Sequence, residues 1–161
     1  MNILLADDHD LVRDGITSFL KLAAPEVEVA QAKDFAEALA VVDGETEVEL
    51  TILDLNMPGM NGLSGLTVMR QKHPEIPVVI LSGSVKRSDV LNALEHGASG
   101  YLPKTLSGKS LINALRLILS GEKYIPSALL EDDGSQMRPD RQSTRLKSSK
   151  ITTSYAVVVL V

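Results

Sequence analysis

Four apolar runs in this chain end on, or run into, a side chain that could do chemistry. Residues 2–8 read NILLADD, 48–54 read VELTILD, 77–83 read PVVILSG and 99–104 read SGYLPK. Asp7 and Asp8 thus follow one run, Asp54 closes a second, Ser82 stands at the end of a third, and Lys104 follows a fourth. Carboxylates at the ends of core segments are costly if they converge. Two like charges ~4 Å apart repel by about 4 kcal/mol at an effective dielectric of roughly 20. A cation is then needed to offset them, and oxygen donors without thiolates or a histidine cluster suit a hard ion such as Mg2+. Each residue also has a plainer reading. Asp8 or Asp10 can cap a following helix, which is the preferred reading for Asp10. Ser82-Gly83 can be turn chemistry and Lys104 a solvated charge, while His9, alone beside the acids, reads as a surface residue rather than a ligand.

The deciding question is whether one fold brings these residues to one edge. Strand-like segments fall at 2–6, 27–31, 48–54, 77–83 and 99–103, each bounded by turn residues. Between them lie helical patterns at 10–23, 34–42, 63–72, 86–96 and 107–120. Pro74, Gly97 and Gly121 follow three of those patterns and supply stops. About five strands alternating with about five helices predict an α/β fold, a doubly wound five-stranded parallel sheet with helices on both faces. Such sheets gather function at the carboxyl ends of their strands, the edge on which Asp7, Asp8, Asp54, Ser82 and Lys104 all fall.

Composition narrows the classes. The chain has 161 residues, 44% hydrophobic but only 3% aromatic and without Trp, so the core must be aliphatic. There is no cysteine, which excludes disulfides, thiolate metal sites and cysteine nucleophiles. MNILLADDHD meets acids too early for a signal peptide, and no apolar stretch reaches the roughly 20 residues of a membrane span. A cytoplasmic protein without a membrane partner is expected. The net charge of −5 divides unevenly: residues 1–133 hold 11 Lys/Arg against 20 Asp/Glu, and residues 134–161 hold 5 against 1. The basic tail ends in ITTSYAVVVLV, β-branched and uncharged, and residues 151–160 are expected to form an extended strand packed on the domain or on a second copy. By composition the tail reads as non-native.

LLADDHDLVRDG, TILDLNMPGMNGLSGL, VVILSGS and GASGYLPKT occur in this order and closely resemble the receiver domain of two-component response regulators. The opening motif together with GEKYIPSALL (121–130) resembles the NarL/LuxR-type branch. The resemblance covers residues 1 to about 130. It implies a flavodoxin-like sheet of order 2-1-3-4-5, with a receiver domain at 1–121, a linker at 122–133 and the tail at 134–161. It implies that Asp54 accepts a phosphoryl group from a sensor histidine kinase, and that Asp8, Asp54 and the Asn56 carbonyl bind Mg2+, with Asp7 acting through water. Lys104 and Ser82 would contact the phosphoryl oxygens. Ser82 would draw its loop inward, and Tyr101 would be the switch aromatic whose ring turns inward. A phosphoacceptor of this kind is not an enzyme beyond catalysing its own phosphorylation and dephosphorylation.

Homodimerisation on phosphorylation is implied, as is transcription control through a C-terminal helix-turn-helix DNA-binding domain. Nothing after residue 130 resembles such a domain. One departure stands out: many receivers follow the lysine with proline, whereas here Thr105 follows Lys104 and Pro103 precedes it. Two rival classes remain. A haloacid-dehalogenase-like phosphohydrolase wants D-x-D at its nucleophile, where this chain reads Asp54-Leu55-Asn56. A pseudo-receiver binding module has no use for the complete set Asp7, Asp8, Asp54, Ser82 and Lys104.

Overall fold

A computed structural model describes residues 1–126 and the backbone of 157–160. Strands and helices alternate as β1 (Asn2–Ala6), α1 (Asp10–Ala23), β2 (Glu28–Ala32), α2 (Phe35–Asp43), β3 (Leu50–Asp54) and α3 (Ser64–Lys72). They continue as β4 (Val78–Ser82), α4 (Arg87–Glu95), β5 (Gly100–Pro103), α5 (Gly108–Leu119), β6 (Lys123–Pro126) and β7 (Val157–Leu160). All strand pairs are parallel, in the order β2-β1-β3-β4-β5-β6-β7. The expected fold and strand order 2-1-3-4-5 are found in the first five strands, and β6 and β7 extend the same sheet beyond β5.

The period of two along each strand explains why both faces need helices. On β1, Leu4 and Ala6 join one core while Ile3 and Leu5 join the other; on β4, Val78 and Ile80 part in the same way from Val79 and Leu81. The first core is closed by α2, α3 and α4 through Phe35, Ala38, Leu66, Met69, Val90 and Ala93. The second is closed by α1 and α5 through Leu20, Leu111, Leu115 and Ile118. Helix starts follow local chemistry. Asp34 caps α2 by accepting the Glu37 amide at 2.8 Å, and Ser107 caps α5 by accepting the Ser110 amide at 3.2 Å.

Asp10 does not cap α1, contrary to the expectation. The cap position is His9, and Asp10 is already the first helical residue, where its carboxylate meets Arg13 Nη2 at 2.6 Å. An acid in the first turn still complements the helix dipole.

The segment expected to be a linker at 122–133 begins with a strand. β6 pairs with β5 at Gly100↔Tyr124, and its Tyr124 and Ile125 are buried, one in each core. Gly100 permits this approach, because a Cβ there would come within 2.8 Å of Ile118 Cδ1. β7 lies parallel to β6 in the register Lys123↔Val157 to Pro126↔Leu160. Part of the strand expected at 151–160 is thus found; residues 151–156, like the rest of 127–156, lie outside the described residues. Among the described residues no helix is long and apolar enough to cross a membrane.

Candidate functional site

The sheet reverses its winding between β1 and β3, and at such a switch point the strand ends open a crevice. Register fixes what lines it. Ala6 pairs with Leu53, so Asp7 and Asp54, each the next residue along, end adjacent strands. Asp54 pairs with Leu81, and Ser82 with Pro103, so Ser82 stands one residue beyond the level of Asp54 and Lys104 one residue beyond that of Ser82, on the same edge. Asp7 and Asp54 are fully buried. The Lys104 ammonium sits between them, 3.0 Å from Asp7 Oδ2 and 3.2 Å from Asp54 Oδ2. The loop carrying it is fixed without a Lys-Pro step: the Lys104 amide donates to the Ser82 carbonyl at 2.9 Å, and the Leu106 amide to that of Pro103 at 3.2 Å.

The remaining carboxylate oxygens are held from behind. Asp7 Oδ1 accepts the His9 amide at 2.8 Å, and Asp54 Oδ1 accepts the Asn56 amide at 3.2 Å. The loop after Asp54 is tied to α2 by the Phe35 amide, which donates to the Pro58 carbonyl at 3.0 Å. Gly59 is left-handed there, with φ +88°, and a Cβ would press on Phe35. The other oxygens, Asp7 Oδ2 and Asp54 Oδ2, are buried and ion-paired to Lys104 yet accept no aligned hydrogen bond. One ammonium thus serves two buried carboxylates. Burial drives the Asp54 pKa up, and the neighbouring Asp7 charge adds to that rise against the Asn56 amide and Lys104. Burial also opposes ionisation of Asp7, but the His9 amide, Lys104 and the His9 ring outweigh it, so its pKa falls. Lys104 likewise loses solvation, yet the two carboxylates raise its pKa. The arrangement is an Asp7–Lys104 pair with Asp54 as the surplus charge.

Asp8 lies at the rim, its side chain 34% exposed, with Oδ1 3.0 Å from His9 Nδ1. His9 Nδ1 is also 3.1 Å from Asp7 Oδ1. One ligand atom from each of Asp7, Asp8, His9 and Asp54 falls within 4.8 Å of the others. Two donors each ~2.4 Å from one ion lie at most about 4.8 Å apart, so the cluster has the dimensions of a cation site. Its buried carboxylate oxygens, which share the single Lys104 ammonium, fit a hard divalent ion. The Asn56 amide donates to Asp54, which holds the residue expected to offer its carbonyl beside the cluster.

The third wall is a polar chain behind Ser82. Ser82 is buried, and its Oγ accepts the Ser84 amide at 3.0 Å. The Tyr101 hydroxyl donates to the Ser84 carbonyl at 2.7 Å, and the Ser84 hydroxyl donates to Asp89 Oδ2, in the first turn of α4, at 3.0 Å. The Tyr101 ring is completely buried, so an inward turn is not a movement left to it in this conformation. Burial pushes its phenol pKa up, and the Asp89 carboxylate adds to the rise. Ser84, Asp89, Arg13 and the His9 ring contacts went unread in the sequence. Arg13 donates to the Asp7 carbonyl at 2.7 Å, which ties α1 to the site. The available signal was proximity alone: Ser84 stands two residues after Ser82, and His9 directly after the acidic pair.

Residues 3–116 match the profile of the response regulator receiver domain. The chain is 38% identical over 136 residues to the glycerol metabolism activator of Pseudomonas putida, covering 84% of this chain and 62% of that protein. It is 33% identical over 150 residues to the nitrate/nitrite response regulator protein NarL of Escherichia coli, covering 93% of this chain and 69% of that protein. The chain therefore spans roughly two thirds of the length of these relatives. The solved structure of a LuxR-family two-component response regulator from an Aurantimonas species superposes with a TM-score of 0.75 at 28% identity, over 84% of this chain and 96% of that one. Nothing in these likenesses favours a phosphohydrolase or a non-phosphorylated module. The chain belongs to the response regulator receiver-domain family, in its NarL/LuxR-type branch.

Proposed function

We propose that Asp54 is the phosphoacceptor of a two-component switch. The observation that carries this reading is the surplus charge: a fully buried carboxylate whose Oδ2 has only a shared ammonium for company. In the proposed step an Asp54 oxygen attacks phosphorus, and a P–O bond forms as the P–N bond of the kinase phosphohistidine breaks. The bonding electron pair returns to the kinase imidazole. Lys104, already 3.2 Å from Asp54, keeps its charge and turns an N–H donor from the carboxylate to a phosphoryl oxygen. Ser82 keeps its hydroxyl proton available for a second phosphoryl oxygen, since Oγ is presently an acceptor.

Asp8, Asp54 and the Asn56 carbonyl would hold a Mg2+ ion, with Asp7 acting through water. Bound there, the cation supplies charge neutralisation between an anionic nucleophile and an anionic donor. Attack of water on the aspartyl phosphate releases inorganic phosphate and restores the carboxylate, so the chain catalyses only its own loading and unloading. In the proposed setting the parent protein acts in the cytoplasm, receives phosphate from a sensor histidine kinase, dimerises when phosphorylated and reaches DNA through a separate C-terminal domain.

The test is intact-mass and peptide-mass analysis after incubation with acetyl phosphate and Mg2+. A single phosphoryl adduct, absent from Asp54→Asn, is expected. An adduct mapped elsewhere, or undiminished labelling of Asp54→Asn, overturns the proposal.

A further inference from the structure

We infer that Arg13 is a positioning residue of the phosphoryl-transfer site: through the peptide that joins Asp7 to Asp8, it fixes the direction in which Asp8 meets the cation. The inference rests on the proposed function, in which Asp8 is a ligand of that cation. It gives Arg13 a role without placing it on the cation, the phosphoryl group or the Asp54 carboxylate.

Asp8 is poorly held by its own side chain. Its carboxylate lies at the rim and meets the His9 ring, which is itself 63% exposed. Its direction is therefore set by the backbone on either side. The Asp7 amide donates to the Ala32 carbonyl at 3.0 Å, and the Asp7 carbonyl accepts from Arg13 Nη1 at 2.7 Å. That carbonyl belongs to the planar peptide leading into Asp8, so holding its oxygen also fixes where the Asp8 amide points. On the far side, the His9 carbonyl accepts the Arg13 amide at 3.0 Å. One residue thus grips the backbone before and after Asp8.

The grip is itself braced. Arg13 Nη2 meets Asp10 Oδ1 at 2.6 Å, and Nε donates to Gln31 Oε1 at 3.0 Å. The Gln31 side-chain amide donates in turn to Thr17 Oγ1 at 3.0 Å, one turn further along α1. Acceptors from the end of β1, from α1 and from β2 are met by one planar fork, which a lysine, a single point donor, does not reproduce. Two plainer roles make different predictions. If Arg13 acts by its charge, it repels Mg2+, and removing it tightens binding. If it merely joins α1 to β2, removing it lowers the melting temperature and leaves the Mg2+ affinity of the folded chain unchanged.

Calorimetric titration of the full chain with Mg2+, without any phosphodonor, separates the three. Arg13→Lys keeps the charge and is expected to weaken Mg2+ binding by about tenfold. Gln31→Ala, at an exposed position, leaves Arg13 in place but removes one brace, and should weaken binding by a smaller factor. In loading with acetyl phosphate followed by intact mass, the Mg2+ concentration that gives half the maximal rate should rise with the same ordering. The rate at saturating Mg2+ should stay within about twofold. Unchanged or tighter Mg2+ binding in Arg13→Lys, unchanged binding in Gln31→Ala, or a lower saturated rate without a shift in half-saturation overturns the inference. The two readings fail separately. A chain that is labelled at Asp54, but whose Mg2+ affinity is indifferent to Arg13→Lys, retains the switch and loses this positioning role. A chain whose Mg2+ binding weakens in Arg13→Lys, but which is never labelled at Asp54, loses the switch and keeps the positioning role.

Discussion

At the scale of the residue, the unusual feature is one ammonium between two buried carboxylates. Because the Asp54 pKa is raised by burial, the folded chain holds that proton to higher pH than the unfolded chain does. The stability this confers is complete below the ordinary carboxylate pKa and is lost as pH rises through the raised value. Asp54→Asn should therefore raise the melting temperature of the metal-free chain at pH 7, and the gain should disappear at pH values below the ordinary carboxylate range. Calorimetric melts of the two proteins across pH decide it, and a less stable Asp54→Asn at pH 7 contradicts the charge assignment. Lys104 has the opposite sign. Breaking a buried pair leaves an uncompensated charge and costs about 3–5 kcal/mol, but the 21% exposure of the Lys104 side chain lowers the expected loss to about 2 kcal/mol for Lys104→Ala. In that background Asp54→Asn should recover part of the loss, since Asp7 no longer faces a second charge. Denaturant titration of the four proteins in a double-mutant cycle measures this, and strict additivity would mean that Lys104 and Asp54 do not interact.

At the scale of the element, Ser84 ties the end of β4 to the start of α4. It joins Ser82, Tyr101 and Asp89 by three hydrogen bonds. In the proposed switch, a phosphoryl group that drew Ser82 forward would pull against the first of these, and the other two would carry the displacement to Tyr101 and α4. Ser84→Ala removes the contact to Asp89, and Tyr101→Phe removes the one to the Ser84 carbonyl. Each should cost about 1 kcal/mol and speed amide exchange in residues 83–90, read by hydrogen–deuterium exchange mass spectrometry. Unchanged exchange in both variants would remove this chain as the route of the switch.

Much of this level was legible in the sequence, because apolar periodicity and strand-end polarity survive without tertiary knowledge. The positions of Asp7, Asp54 and Lys104 follow from where the apolar runs stop. What was hidden depends on contacts between distant segments. Whether His9 or Asp10 caps α1 turns on Asp7 accepting the His9 amide, and the Ser84 chain depends on the burial of Tyr101. β6 escaped notice because KYIP is short and its strand character comes from packing across β5 and α5.

At the scale of the whole molecule, the structured body extends past residue 121. Tyr124 and Ile125 are buried in opposite cores, and fully burying such side chains contributes about 1.5–3 kcal/mol each. A chain ending at residue 121 should therefore be less stable than one ending at residue 130 by about 3–6 kcal/mol, measured by urea unfolding. The longer of the two should keep Asp54 labelling. Equal stability would show that β6 is dispensable. Loss of labelling in the chain ending at 130 would show that the basic and apolar tail is needed by the site.

The central claim is chemical and has a chemical test. An aspartyl phosphate is an acyl phosphate, which borohydride reduces to an alcohol, so the acceptor residue is marked permanently by conversion to homoserine. After phosphorylation with acetyl phosphate and Mg2+, borohydride reduction and fragment-ion sequencing, homoserine is expected at position 54 and at no other aspartate. Homoserine at position 7, 8 or elsewhere, with Asp54 unchanged, would contradict the account.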